Sequence, residues 1–228
     1  MKLMKLGLTA AVTCGLAAFA SADVIMDQIG DGSSQYSIGA SQDFAEPYDA
    51  YDVIAVEDFT IGEAMDLSSA SMMLGGWNGF AGSAGVIGYT VSIFSSLDAA
   101  GTSIFGDIAS IYLVNGVDPG VTYDTDWAGQ GEYVTLDMSG VSLAAGTYYI
   151  GIAAHNDFGA NGQTGVYFGD DLGDGSGAQA NPSGAFGFGP YQMTGVNYAY
   201  RLDGNAVPAP GVLALLGLAG LASRRRRS

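Results

Sequence analysis

Between residues 23 and 206 this chain carries no run of helical period with helix caps, yet short apolar runs bounded by turn residues recur throughout. The clearest are YDVIAVEDFTI (51–61), LSSASMML (67–74), VIGYTVSIF (86–94), IASIYLV (108–114), EYVTLDM (132–138), TYYIGIAAH (147–155), QTGVYFG (163–169) and VNYAYRL (196–202), with VIMDQI (24–29) as a first strand. Alternation of period two puts Tyr89, Val91 and Ile93 on one face of their run. It does the same for Val134, Leu136 and Met138, and for Tyr148, Ile150 and Ile152. The connecting segments NGVDPG, MSG, LAAG and GDDLGDGSG are turn chemistry. Eight or nine short strands at this spacing predict an all-β fold, a single antiparallel β-sandwich of jelly-roll or immunoglobulin-like kind over residues 23–206. The Gly-, Ala-, Asp- and Ser-rich stretch 169–190, with Phe186 and Phe188, reads as a long excursion before the last strand.

That length is ample for one core. Hydrophobic residues at 48% and aromatics at 11% exclude a disordered linker.

The two ends read differently. Lys2 and Lys5 precede an apolar stretch from Leu6 to Phe19, and Ala20-Ser21-Ala22 gives the small-x-small pattern that signal peptidase accepts before Asp23. Residues 1–22 are therefore expected to be a helical, cleaved secretory signal. Cys14, the one cysteine, would leave with it, so neither disulfides nor cysteine-ligated metals would hold the mature chain. At the other end, residues 207–228 run from Pro208-Ala209-Pro210 through an apolar stretch to Arg224, Arg225, Arg226 and Arg227. As a helix, residues 211–223 would reach about 20 Å against a hydrocarbon core of about 30 Å. Such a short span with a basic stop fits a transient sorting helix better than a permanent anchor.

All 23 acidic residues lie in the body, which has Arg201 as its one basic residue besides His155. Removing the six positive charges at the two ends takes the formal net charge from -16 to -22. Basic flanks stay on the cytosolic side, so the acidic body is the part expected to cross. A body this acidic repels nucleic acid and anionic lipid.

The order of Pro-x-Pro, an apolar Leu/Ala/Gly stretch and a terminal arginine cluster resembles the PEP-CTERM sorting signal of Gram-negative-type bacteria. The resemblance covers about 22 residues, and it implies handling by an exosortase-type membrane enzyme, display at the cell surface and association with exopolysaccharide and biofilm. Ala209 stands where that family's name-giving glutamate would be, a departure that bears on the efficiency of processing. The stretch from DVIAVEDFTIG through YTVSIFSSLDAAGTSIFG looks like the N-terminal half of bacterial extracellular sandwich modules, a likeness that implies a fold and no activity.

Catalytic chemistry has few carriers. The body has no lysine, no cysteine and one histidine, His155, at a predicted strand end, and no GxSxG is present. The expectation is a non-enzymatic protein with no catalytic residue to nominate. Calcium suits the oxygen donors better than zinc does. Its candidates are Asp170, Asp171 and Asp174 in GDDLGDGSG, Asp124 and Asp126 in YDTDW, and Asn156 with Asp157 after His155. The first loop matches an EF-type pattern only partly, with Leu172 at the second ligand position and Asn181 at the closing one. Trp77, Trp127, Tyr123 and Tyr191 sit in or beside predicted loops, where sugar-stacking platforms occur. The expected function is thus an exported surface or matrix protein, with signal peptidase, an exosortase-type enzyme and exopolysaccharide as partners. A carbohydrate-binding module, in one version calcium-dependent, is the alternative. A polysaccharide-active enzyme stands behind both.

Overall fold

The computed structural model describes residues 22–33, 37–170 and 174–208. The expectations for Ala20, Asp171, Ala209, Pro210 and Arg224 to Arg227, and for the two terminal helices, lie outside the described residues.

The strands in chain order are β1 (Asp23–Asp27), β2 (Ile38–Ala40), β3 (Gln42–Phe44), β4 (Ile54–Ile61), β5 (Met65–Trp77), β6 (Gly88–Phe94), β7 (Ala109–Val114) and β8 (Val121–Tyr123). They continue with β9 (Glu132–Asp137), β10 (Ser142–Leu143), β11 (Gly146–Asn156), β12 (Gln163–Tyr167), β13 (Ala178–Ala180), β14 (Tyr191–Met193) and β15 (Tyr200–Ala206). Two four-residue helices, α1 (Leu97–Ala100) and α2 (Phe158–Asn161), interrupt them. The protein is all-β, as the runs predict, in two sheets.

The first sheet is built around β5. Its near end pairs with β15 and β10, its far end with β12, and its other flank with β9. Strands β1, β2 and β8 extend the sheet through β15, β12 and β9. The second sheet runs β14-β13-β4-β11-β6-β7, with β3 also on β11. Every described pairing is antiparallel except β3 with β11, which is parallel.

The alternating faces foreseen in the sequence meet between the sheets. Tyr89, Val91, Ile93, Val134, Leu136, Met138, Ile150 and Ile152 are fully buried and share one core with Met72, Leu74, Tyr198 and Leu202, while Tyr148 packs at its edge. Each large apolar side chain removed from water there contributes about 1.5–3 kcal/mol. Strand β6 is buried on both faces because a second cluster covers the outside of its sheet: Ile54, Val56, Phe94 and Ala153 under Ala100 and Ile104.

The long strand β11 sets the two poles of the molecule. Gly146 at its start pairs with Ile61, beside Asp23, and Ala206 at the end of β15 pairs with Met65 nearby. Its last residue, Asn156, pairs with Phe44, so the eleven residues of β11 separate the two poles by about 33 Å. The points where the chain enters and leaves the sheets, at Asp23 and Ala206, thus share one pole. Among the described residues no helix is long and apolar enough to cross a membrane.

Candidate functional site

A cleft of about 300 Å³ opens at the pole opposite the chain ends, lined by Phe44, Tyr48, Tyr51, Phe158, Gln163 and Phe186. Phe44 is its floor: at 5% exposure it is buried, while Tyr48, Tyr51 and Phe186 are 38–44% exposed. Its ring centroid lies 6.4 Å from Tyr51, 6.2 Å from Phe158 and 6.2 Å from Phe186. Tyr48 meets Phe158 edge-on at 5.5 Å, and Tyr51 meets Phe186 edge-on at 5.8 Å. These are the separations at which aromatic pairs attract.

Three segments far apart in the chain supply the rings, and buried amides hold them together. The main-chain carbonyl of Asn156 accepts from Gln42 Nε2 at 3.3 Å and from the N–H of Ala45 at 3.1 Å, which seats β3 alongside β11. Gln42 Oε1 in turn accepts from the N–H of Thr164 at 2.7 Å. Asn156 Nδ2 donates to the carbonyl of Gly162 at 2.8 Å, and Asn161 Nδ2 donates to Asn156 Oδ1 at 3.0 Å, so α2 and its Phe158 are anchored to the same point. Asp157 caps α2 by accepting from the N–H groups of Gly159 and Ala160. The loop carrying Phe186 is closed by Asn181, whose Nδ2 donates to the carbonyl of Phe188 at 2.8 Å. Ser183 ties that loop to Ala50, next to Tyr51.

Carboxylates accompany the rings. Asp52 Oδ1 accepts from the N–H of Phe44 at 2.8 Å. Burial pushes the Asp52 carboxyl up to about 6, with the charges of Asp43 and Asp49 adding to the rise. Asp43 Oδ2 lies 3.1 Å from His155 Nδ1, and the His155 ring stands edge-on to Tyr112 at 6.0 Å. His155 is therefore a strand-end residue engaged with its neighbours, as its position in the sequence implies.

The three loops with candidate calcium donors differ in what surrounds them. Asp124 and Asp126 are exposed, with Asp124 Oδ1 accepting from the N–H of Asp126 at 2.9 Å. Asp170 is buried beside Gln28, to whose carbonyl its N–H donates. Asn156 and Asp157 serve the cleft scaffold, and Asn181 closes the Phe186 loop. Among the described candidates, Asp174 is the one that joins a carboxylate group, with Glu57 and Asp58, their oxygens lying within 4.8 Å of one another. Among the described residues this is the trio that could hold a hard cation. Protein groups already engage it: Ser176 Oγ lies within hydrogen-bond reach of both Glu57 and Asp58, and the N–H of Tyr198 donates to Glu57 Oε2. With its amide turned so that nitrogen and oxygen exchange places, the orientation that satisfies both atoms, Gln28 donates to the same oxygen at 3.3 Å.

The aromatics singled out for sugar stacking lie elsewhere. The Tyr123 hydroxyl shares a hydrogen bond with Tyr89 and donates to Asn115 Oδ1. Trp127 packs on Tyr133 and against Gly129, Tyr191 packs on the outer cluster, and Trp77 ends β5. The cleft rings were signalled instead by aromatics set among Pro, Gly and Asp in EPYDAYD, NDFG and GAFGFG. No family model matches this chain, and no curated protein matches it.

Proposed function

We propose that this chain is an exported, non-enzymatic surface or matrix protein that holds extracellular carbohydrate in the cleft of Phe44, Tyr48, Tyr51, Phe158 and Phe186. The observation that carries this reading is the placement of that cleft. It lies about 33 Å from the pole where Asp23 and Ala206 lead to the signal and sorting segments. A chain held at the membrane by either end presents the rings outward. Exposed aromatic faces against a preformed apolar cleft suit the apolar face of a sugar ring, with the Gln163 amide at hand for its hydroxyls. The two sheets sharing one core support the finer assignment to the jelly-roll or immunoglobulin-like sandwiches.

The sorting part of the proposal rests on Pro208-Ala209-Pro210, the apolar stretch and Arg224 to Arg227, as a substrate for an exosortase-type enzyme. Two experiments test the proposal. Affinity for soluble polysaccharide should fall at least tenfold in Tyr51→Ala and in Phe186→Ala while their melting temperatures stay close to that of the parent chain. Deleting residues 207–228 should release the body from the membrane fraction during export; identical fractionation of both chains removes the sorting role.

A further inference from the structure

The cleft has a property that a platform for neutral sugars does not need: the segments that supply its rings also supply carboxylates, and almost nothing positive opposes them. Asp52 lies against the backbone of the floor residue Phe44. Exposed Glu46 lies in the connection between Phe44 and Tyr48, and exposed Asp49 begins the 3₁₀ turn Asp49–Tyr51 that carries Tyr51. Asp157 caps the helix that carries Phe158. Asp43 and Asp49 are close enough to Asp52 for their charges to resist its ionisation. The single base nearby, His155, stands against Asp43. Arg201, the only Lys or Arg among the described residues, is on β15 in the other sheet, bonded to Asp27 and Asp203.

Aromatic faces carry the negative side of the ring quadrupole, so they and the carboxylates draw the same kind of ligand. Resting on the carbohydrate reading of the cleft, we infer that its preferred ligand is an amino sugar with a protonated amine, bound with the ammonium group among the rings and carboxylates. A sugar stacked on Tyr51 or Phe186 keeps its apolar contact whether or not its nitrogen is acetylated. The charge–ring and charge–carboxylate attractions vanish on acetylation. A uronic acid is repelled by the same groups.

Calorimetric titration of the full chain with four probes tests this: a glucosamine tetrasaccharide, its fully N-acetylated counterpart, a glucose tetrasaccharide, and choline. The glucosamine tetrasaccharide is expected to bind about tenfold tighter than the other two sugars. That advantage should shrink in high salt, where exposed charges are screened. Asp49→Asn, a change at an exposed side chain, should weaken the glucosamine tetrasaccharide several-fold and leave the N-acetylated one unchanged. Equal affinity for the three sugars overturns the inference and leaves the carbohydrate reading standing. Binding of none of the sugars overturns both. Choline binding as tightly as the glucosamine tetrasaccharide overturns the assignment to a sugar, and an Asp49→Asn chain that binds all probes like the parent removes the role of the carboxylates.

Discussion

Oε2 of Glu57 accepts the backbone N–H of Tyr198 at 2.7 Å, joining β4 of one sheet to the approach to β15 of the other. Glu57 is fully buried, and its Oε1 lies 3.0 Å from the Ser176 hydroxyl, which also bonds Asp58. One hydroxyl proton cannot serve two carboxylates at once. With Glu57 protonated, its own O–H donates to Ser176 and Ser176 donates to Asp58, so both contacts of the Ser176 hydroxyl are satisfied at once. Burial pushes the Glu57 carboxyl up to about 7, against the lowering effect of the Tyr198 hydrogen bond.

The sign of the resulting pH dependence follows. Between the ordinary 4.5 and about 7, the folded chain holds a proton on Glu57 that the unfolded chain has released. Stability from this group is greatest at the acid end of that window and is lost as pH rises through it, by about 3 kcal/mol in all. Asp52, raised from 3.8 to about 6, acts in the same direction. Urea unfolding from about pH 5 to about pH 8 should show a falling midpoint, and Glu57→Gln should flatten much of that slope. A parent chain that gains stability across this range contradicts the account.

A second tie between the sheets predicts a loss with no compensating gain. Strand β4 leaves β11 after the pair Val56–Gly151, and β3 joins only at Ala154, so that edge of β11 has an unpaired stretch between them while its other edge stays on β6. The fully buried Tyr200, from the opposite sheet, fills it: its hydroxyl accepts from the N–H of Ile152 at 3.2 Å and donates to the carbonyl of Ala55 at 2.9 Å. Ser41 Oγ completes the repair by donating to the carbonyl of Ile152 at 2.6 Å. Tyr200→Phe keeps the ring and strands these partners. It should destabilise the fold by about 1–3 kcal/mol in equilibrium unfolding. An unchanged unfolding midpoint would mean that water has replaced the hydroxyl.

The same split shows which parts of the fold the sequence encodes visibly. Val134, Leu136, Ile150 and Ile152 announce their inward face because period two is a local signal, and their strands are found where the alternation is. Strand β3 has three residues and no alternation to read. The side-chain amide of Gln42, donating to the main-chain carbonyl of Asn156 more than a hundred residues away, helps seat it parallel to β11, and that pairing places the floor of the cleft. Phe44, Phe158 and Phe186 are individually visible as aromatics among turn residues, but only long-range contacts, Gln42 on Asn156 and Ser183 on Ala50, make them neighbours. Strand β13 lies inside the stretch read as a loop excursion and β14 directly follows it, again as three-residue strands that borrow their order from β4. Glu57 was legible in another sense, since it occupies an interior position of the apolar run IAVEDFTI.

Two glycines separate a packing role from an incidental one. A methyl group on Gly76 would lie 2.3 Å from the carbonyl oxygen of Gln163 and 2.5 Å from the Phe80 ring, and the first of these is backbone that cannot step aside. Gly76→Ala should cost about 1–3 kcal/mol by overpacking. Because Gln163 lines the cleft, the same change should also weaken ligand binding. A methyl group on Gly62 meets nothing within 4 Å. Gly62→Ala is expected to be neutral or to stabilise by up to about 1 kcal/mol through the unfolded chain. Thermal melts of the two variants, side by side, decide whether the close approach at Gly76 is needed.

Salt dependence should reveal how the acidity is carried. With a body charge of -22, self-repulsion opposes the compact state. Raising salt from about 10 mM to about 1 M shortens the screening length from ~30 Å to ~3 Å, so the melting temperature should rise. Arg201 sharpens the test, because its Nη1 lies 2.8 Å from Asp27 Oδ2 and its Nη2 2.9 Å from Asp203 Oδ1. Those two carboxylates sit on the paired strands β1 and β15, and without the guanidinium they face each other unopposed. Arg201→Gln should therefore destabilise the chain more at low salt than at high salt. If both chains melt at temperatures independent of salt, repulsion among the carboxylates does not limit the stability of the fold. The arginine then contributes by its hydrogen bonds alone.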